Sequence, residues 1–227
     1  MPDSSVMAVV VLVVVIAGLA LLIRPYFRQR RERAEQLRVL AGQRGWTFVR
    51  EATVDMIPGY EIFRLFSERH SKTIENMMSG EVDGIEVDGI KVALFDYAYV
   101  SDHGEEGRGG ETQTVLYLES GKLDVPHFLL QPKNILHKLF PNFGFRNIEF
   151  GQRPEFARQY VLSGEDEPAI RNTFNDWLLE FYEAHPGIWT EGRGNHLFVY
   201  RDNQTVEAAQ IQGFIDLGVN ILNRLGG

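Results

Sequence analysis

An aspartate stands where an alternating strand should present an apolar side chain. In "IKVALFDYAYV" (90–100) the period of two places Ile90, Val92, Leu94, Asp96 and Ala98 on one face. A carboxylate on such a face is costly unless it is hydrogen-bonded. Asp96 is therefore either a site carboxylate with a shifted pKa or a structural group bonding a turn backbone or a tyrosine; the structural role is favoured. A second polar candidate is His103, in the acidic, glycine-rich loop "SDHGEEGRGGE" (101–111). Asp102, Glu105, Glu106 and Glu111 there would raise its pKa, although an exposed loop histidine is the simpler reading. The six histidines (70, 103, 127, 137, 185, 196) never recur at helical i,i+3 or i,i+4 spacing, so no metal site is read from them.

Other chemistry is missing. The chain has no cysteine, which excludes thiol nucleophiles, disulfides, Fe–S clusters and Cys-ligated zinc. It carries no G-x-S-x-G, P-loop, G-x-G-x-x-G or H-E-x-x-H motif. "GRGG" (107–110) lacks the following Lys-Ser/Thr of a phosphate loop. "EVDGIEVDGI" (81–90) repeats an Asp-Gly pair, but without the acidic ladder and closing Glu of a calcium loop it reads as hairpin turns. No catalytic, cofactor-binding or metal-ligating residue is assigned, and no cofactor is expected.

Charge is unevenly distributed. The net charge of -8 comes from 23 basic and 31 acidic side chains. Residues 1–45 hold seven Arg against Asp3, Glu32 and Glu35, giving +4; the remainder sums to -12. An acidic domain repels nucleic acid, so nucleic-acid binding is set aside. A hydrophobic content of 44% argues for a globular fold and against disorder.

"VMAVVVLVVVIAGLALLIRPYFRQRRER" (6–33) opens with 18 residues free of charge. At helical rise they span roughly 27 Å, close to a hydrocarbon core of about 30 Å. No basic segment precedes the run and no small-residue cleavage site follows it, so a retained anchor is expected in preference to a signal peptide. Arg24, Arg28, Arg30, Arg31 and Arg33 follow it, and the positive-inside rule then places the C-terminal side in the cytoplasm. These five arginines are candidates for fixing topology or for pairing with lipid headgroups. The expected organisation is a non-cytoplasmic tail (1–5), a transmembrane helix (6–23), a basic juxtamembrane stalk helix (24–43) and an acidic globular domain (44–227).

The elements that must position these groups follow from periodicity. Strands are expected at 44–52, 90–100, 112–120 and 125–132, the last stopped by Pro132, with further strands in "FRNIEF" and "ARQYVLS". "EDEPAIRNTFNDWLLEFYEAH" (165–185) reads as one helix with Ile170, Phe174, Trp177, Leu178, Phe181 and Tyr182 inward. "GIWTEGRGNHLFVYR" (187–201) reads as a hairpin turning near Gly192–Asn195. "TVEAAQIQGFIDLGVNILNRL" (205–225) closes the chain as a helix. Strand runs followed by helix, hairpin and helix predict an α+β fold, a mainly antiparallel sheet covered by two or three helices behind the transmembrane helix. "LFPNFGF" (139–145), with three phenylalanines, is read as core packing in preference to a membrane-dipping loop.

"RGW" (44–46), "SGEVDG" (79–84), "FDYAY" (95–99), "TVLYLE" (114–119), "PHFLLQP" (126–132), "YVLSGEDE" (160–167) and "IWTEGRGNHLFVYR" (188–201) occur together behind the basic stretch. The set resembles a family of uncharacterised bacterial single-pass membrane-anchored proteins, frequent in actinobacteria. The resemblance implies the architecture and no activity, substrate or site. The expected function is a membrane-tethered cytoplasmic binding or scaffold module at the bacterial inner membrane, N-terminus out, with a protein partner. The alternatives are an enzyme with a carboxylate/His site and a lipid-sensing module.

Overall fold

The computed structural model describes residues 4–67, 70–83, 89–100, 111–133 and 146–226, without the side chains of 4–11, 14–23, 70, 71 and 100. His103, the glycine-rich loop and "LFPNFGF" lie outside the described residues.

Helix α1 runs from Ser4 to Gln43. Ala34, Leu37 and Ala41 recur at helical spacing and are buried against the sheet. The helix ends in a Schellman turn. Gly45 adopts φ +68°, the Trp46 N–H donates to the Ala41 carbonyl at 2.8 Å and the Gly45 N–H to the Gly42 carbonyl at 3.2 Å. This reversal feeds the chain directly into strand β1 (Thr47–Ala52).

Among the described residues no helix is long and apolar enough to cross a membrane. That finding corrects the expected fold class, in which a transmembrane helix over 6–23 precedes the domain. It also corrects what followed from that helix: a single-pass membrane protein, the membrane as integral partner, and an inner-membrane location with the N-terminus out. The physical difference lies in α1. Where its side chains are described over 24–43, the helix carries arginine on several sides and packs against the sheet as part of the fold.

Strands β2 (His70–Val82), β3 (Ile90–Val100), β4 (Glu111–Glu119), β5 (Val125–Pro132), β6 (Arg146–Ile148), β7 (Tyr160–Gly164), β8 (Trp189–Gly194) and β9 (His196–Tyr200) complete a nine-stranded sheet with β1. Its order is β1-β2-β3-β4-β9-β8-β5-β7-β6, and every neighbouring pair is antiparallel. The β8–β9 hairpin is inserted between β4 and β5, so the late hairpin closes the middle of the sheet. Asp83 closes the β2–β3 connection by accepting from the Gly89 N–H at 3.2 Å.

One face of the sheet meets helix α1, helices α3 (Pro154–Gln159), α4 (Glu167–Thr173) and α5 (Asp176–Ala184), and helix α6 (Ile211–Leu225). Ile90, Val92 and Leu94 of β3 point into this layer with Leu116, Leu118, Leu197 and Val199. The opposite face is aromatic: Phe95, Tyr97, Tyr99, Tyr117, Trp189, Phe198 and Tyr200. It is covered by 54–67, two turns of 3₁₀ helix followed by the short helix α2 (Arg64–Ser67), which inserts Phe63, Leu65 and Phe66.

The helix expected over 165–185 is broken in two. Asn175 takes an extended conformation and its side chain accepts from the Leu178 N–H at 3.0 Å, starting α5 with a new N-cap. The restart leaves Trp177 54% exposed, with the Arg224 guanidinium 4.2 Å from its ring centre, while Leu178, Phe181 and Tyr182 stay buried.

Candidate functional site

Asp96 sits on β3 directly opposite Glu75 of β2 on one side and Thr114 of β4 on the other. Directly paired residues share a face, so two carboxylates stand side by side where Ile90, Val92 and Leu94 have given way to polar groups. Like charges in that relation repel. Helix α1 answers them with two cations one turn apart: Arg30 pairs with Glu75 and Arg33 with Asp96. The i,i+3 spacing of the arginines on the helix matches the cross-strand spacing of the carboxylates on the sheet.

The inner pair is fully engaged. Arg33 Nε and Nη2 donate to Asp96 Oδ2 and Oδ1, each at 2.7 Å. Nη2 also reaches Thr114 Oγ1 at 2.9 Å, and Nη1 donates to the Val206 carbonyl at 2.9 Å. Asp96 accepts further from Asn76 Nδ2 at 2.9 Å and from the Thr114 hydroxyl at 3.1 Å. The Val206 N–H closes the network on Thr114 Oγ1 at 2.9 Å. Asn76 reaches in because β2 carries a bulge between Glu75 and Met78, where Asn76 adopts φ +54°. Asparagine tolerates the left-handed region better than most side chains. Burial opposes the Arg33 charge, but the hydrogen bonds and field of Asp96, helped by Glu207, outweigh it and hold the guanidinium above its ordinary value.

Above this floor a cleft of about 790 Å³ opens between α1, the ends of β2–β4 and residues 205–207. Most of its charged walls are paired: Arg33 with Asp96, Arg30 with Glu75, and Glu32 with Arg28 beside the cleft; Glu207 is exposed and makes no ion pair among the described residues. The neutral walls are Gln29, Gln36, Thr73, Thr112 and Thr205, whose side chains make no hydrogen bond among the described residues. Tyr26 lies at the mouth, 57% exposed, with the Arg30 guanidinium 5.5 Å from its ring centre. The cleft offers solvent-facing amides and hydroxyls, an aromatic edge and, at Glu207, one carboxylate without an ion pair among the described residues.

Of the candidate residues, Asp96, Arg30 and Arg33 come together here. Arg28 is exposed and pairs with Glu32 at 2.7 Å. Arg24 and Arg31 are exposed and make no ion pair among the described residues. Glu75, Asn76 and Thr114 were missed in the sequence. Asn76, an asparagine inside a strand, is the one that left a local signal.

A second polar cluster lies on the aromatic face. Glu191 is fully buried and accepts from the Arg64 and Leu65 N–H groups at 2.8 and 3.2 Å, with His127 Nε2 3.2 Å away. Across Phe63, His196 Nδ1 lies 2.7 Å from the Tyr117 hydroxyl, which also bonds Glu119 at 3.1 Å. Burial pushes the Tyr117 hydroxyl up, and the Glu119 charge adds to it. These contacts anchor 57–65 over the sheet. Among the described residues no group of three or more His, Asp or Glu side chains could hold a metal ion.

No protein-family model matches the chain, and no curated protein matches it. Among solved structures it is similar to the crystal structure of the mycobacterial trehalose monomycolate transport factor A, TtfA. The TM-score is 0.57 over 86% of this chain and 93% of that one, at 15% sequence identity. The likeness shows a shared fold.

Proposed function

We propose that this chain is a lipid-related binding module whose cleft between α1 and the sheet takes a neutral, polyhydroxylated group such as the sugar of a glycolipid. The observation that carries the reading is the lining of the cleft. Ions would meet walls whose charges are mostly paired internally, whereas hydroxyl groups would meet Gln29, Gln36, Thr73, Thr112 and Thr205 with donors and acceptors to spare. Tyr26 supplies an aromatic surface for a sugar ring. The fold shared with a transport factor named for a trehalose ester supports the same ligand class. Neither a protein-docking scaffold nor a carboxylate/histidine enzyme is carried by an observation of comparable weight.

The test is calorimetric titration of the full chain with free trehalose. Saturable binding that Gln29→Ala and Thr112→Val each weaken several-fold, with an unchanged unfolding midpoint, is expected. No binding at any soluble concentration of the sugar or its short-chain ester would sink the reading.

A further inference from the structure

The polar cleft does not end blindly. Along the seam between α1 and residues 205–208 it gives way to a second, shallow groove of about 320 Å³ with the opposite character. Gln36 lines both. On the polar side the seam is walled by Thr205 and Glu207; one residue further along the same segment the wall becomes Ala208. On the helix the wall runs from Glu35 and Gln36 to Val39, Leu40 and Gln43 one to two turns on, and the surface that lines the groove is mainly apolar. Val39 is 45% exposed although the helix presents it towards the domain. The core packing of α1 is carried by Ala34, Leu37 and Ala41, with the inner side of Leu40 against it, so Val39 is not needed to hold the helix down.

Resting on the sugar-cleft reading, we infer that this groove binds the first methylenes of an acyl chain whose polar head occupies the cleft. The occupant is thus a single-chain amphiphile laid along α1, with Gln36 at the junction between head and tail. The two grooves meet at Gln36 along one seam, and the lining surface changes there from mainly polar to mainly apolar. A free sugar would leave the apolar stretch wet; a bare fatty acid would bring its carboxylate to a cleft with little unpaired positive charge. A neutral head joined to an apolar tail satisfies both halves. The groove is short and open, so it holds the start of the chain and leaves the remainder to whatever delivers or receives it.

A matched pair of probes tests this, trehalose and its 6-octanoyl ester, each titrated into the full chain below the critical micelle concentration of the ester. Covering a few methylenes is expected to tighten the ester about tenfold over the free sugar. Val39→Ser should abolish most of that increment while leaving the affinity for free trehalose unchanged; its exposed position keeps the fold intact. Gln29→Ala should weaken both probes alike. Equal affinities for ester and sugar, or an increment that Val39→Ser leaves untouched, would overturn the acyl groove while the sugar cleft stands. Failure of both probes to bind would overturn the cleft and the groove together.

Discussion

Arg33 and Asp96, 63 positions apart, face each other through two parallel N–H···O bonds of 2.7 Å. The pair fastens α1 to the sheet at a point where neither side chain can turn to water: they are 19% and 6% exposed. Removing one partner leaves the other charged and uncompensated. Asp96→Ala strands the guanidinium and also deprives Asn76 and Thr114 of their acceptor. A loss of about 3–5 kcal/mol is expected in urea denaturation. Arg33→Met combined with Asp96→Leu should recover most of it, because a buried pair replaced by apolar groups is often neutral. A loss from Asp96→Ala no larger than the ~1 kcal/mol of a surface pair would contradict the burial described.

The outer pair behaves differently. Arg30 and Glu75 are 43% and 29% exposed, and both line the cleft. An ion pair this open contributes about 0.2–1 kcal/mol and is screened by salt. If a neutral head must part the two side chains to enter, the pair opposes binding. Trehalose affinity should therefore rise about two- to fivefold on Glu75→Gln. It should also rise as salt increases, the reverse of the trend for a charged ligand. Affinity that does not change with salt or on Glu75→Gln would mean that the sugar enters without parting the pair.

How much of this was legible depends on whether the determinant is local. Strand 90–100 and strand 125–132 were read at their observed bounds because alternation and Pro132 are features of neighbouring residues. Asp96 stood out for the same reason, as a misfit in a local period. Its partner did not. Arg33 was one of five arginines after an apolar run, and only the docked helix shows that Arg30 and Arg33 face the sheet while Arg24 and Arg31 face outward. The membrane-spanning reading of 6–23 rests on a charge-free apolar run with arginines behind it and no cleavage site, and is overturned among the described residues. The break at Asn175 was hidden because Phe174 and Leu178 keep the apolar stripe in phase across it, although the Asn side chain is a local cap signal.

Glu191 offers a test of what holds the 54–67 segment over the aromatic face. It is fully buried, and its carboxylate accepts two backbone N–H groups at the start of α2. Glu191→Ala leaves the buried Leu65 N–H unsatisfied, at about 1–3 kcal/mol, and strips the half-buried Arg64 N–H of its acceptor. The loss should be local as well as global. Trypsin should cleave after Arg64 faster in the variant under native conditions, because the segment opens more often. Glu191→Gln, which keeps one carbonyl acceptor, should fall between the two. Unchanged cleavage at Arg64 in Glu191→Ala would show that the aromatic contacts of Phe63 and Phe66 suffice.

His196 gives the fold a measurable pH dependence. Burial lowers its pKa below the ordinary value; Glu119 works against that shift and Lys91 adds to it. The ring is stacked on Tyr117, with Nδ1 2.7 Å from the Tyr117 hydroxyl, and Phe63 closes over it. The native state therefore takes up this proton less readily than the unfolded chain. Above about pH 6.5 both states hold the ring neutral and the contribution is complete. As pH falls below that value the unfolded chain binds the proton first, and stability is lost until the native pKa is reached. Carboxylates titrate mainly lower, near pH 4. The difference between urea midpoints at about pH 7.5 and about pH 5.5 therefore isolates the histidines. His196→Gln should show a smaller drop than the parent chain over that interval, since the other histidines are common to both. An equal drop in the two chains would mean that the ring is protonated as easily in the fold as in water, and that Phe63 does not seal it.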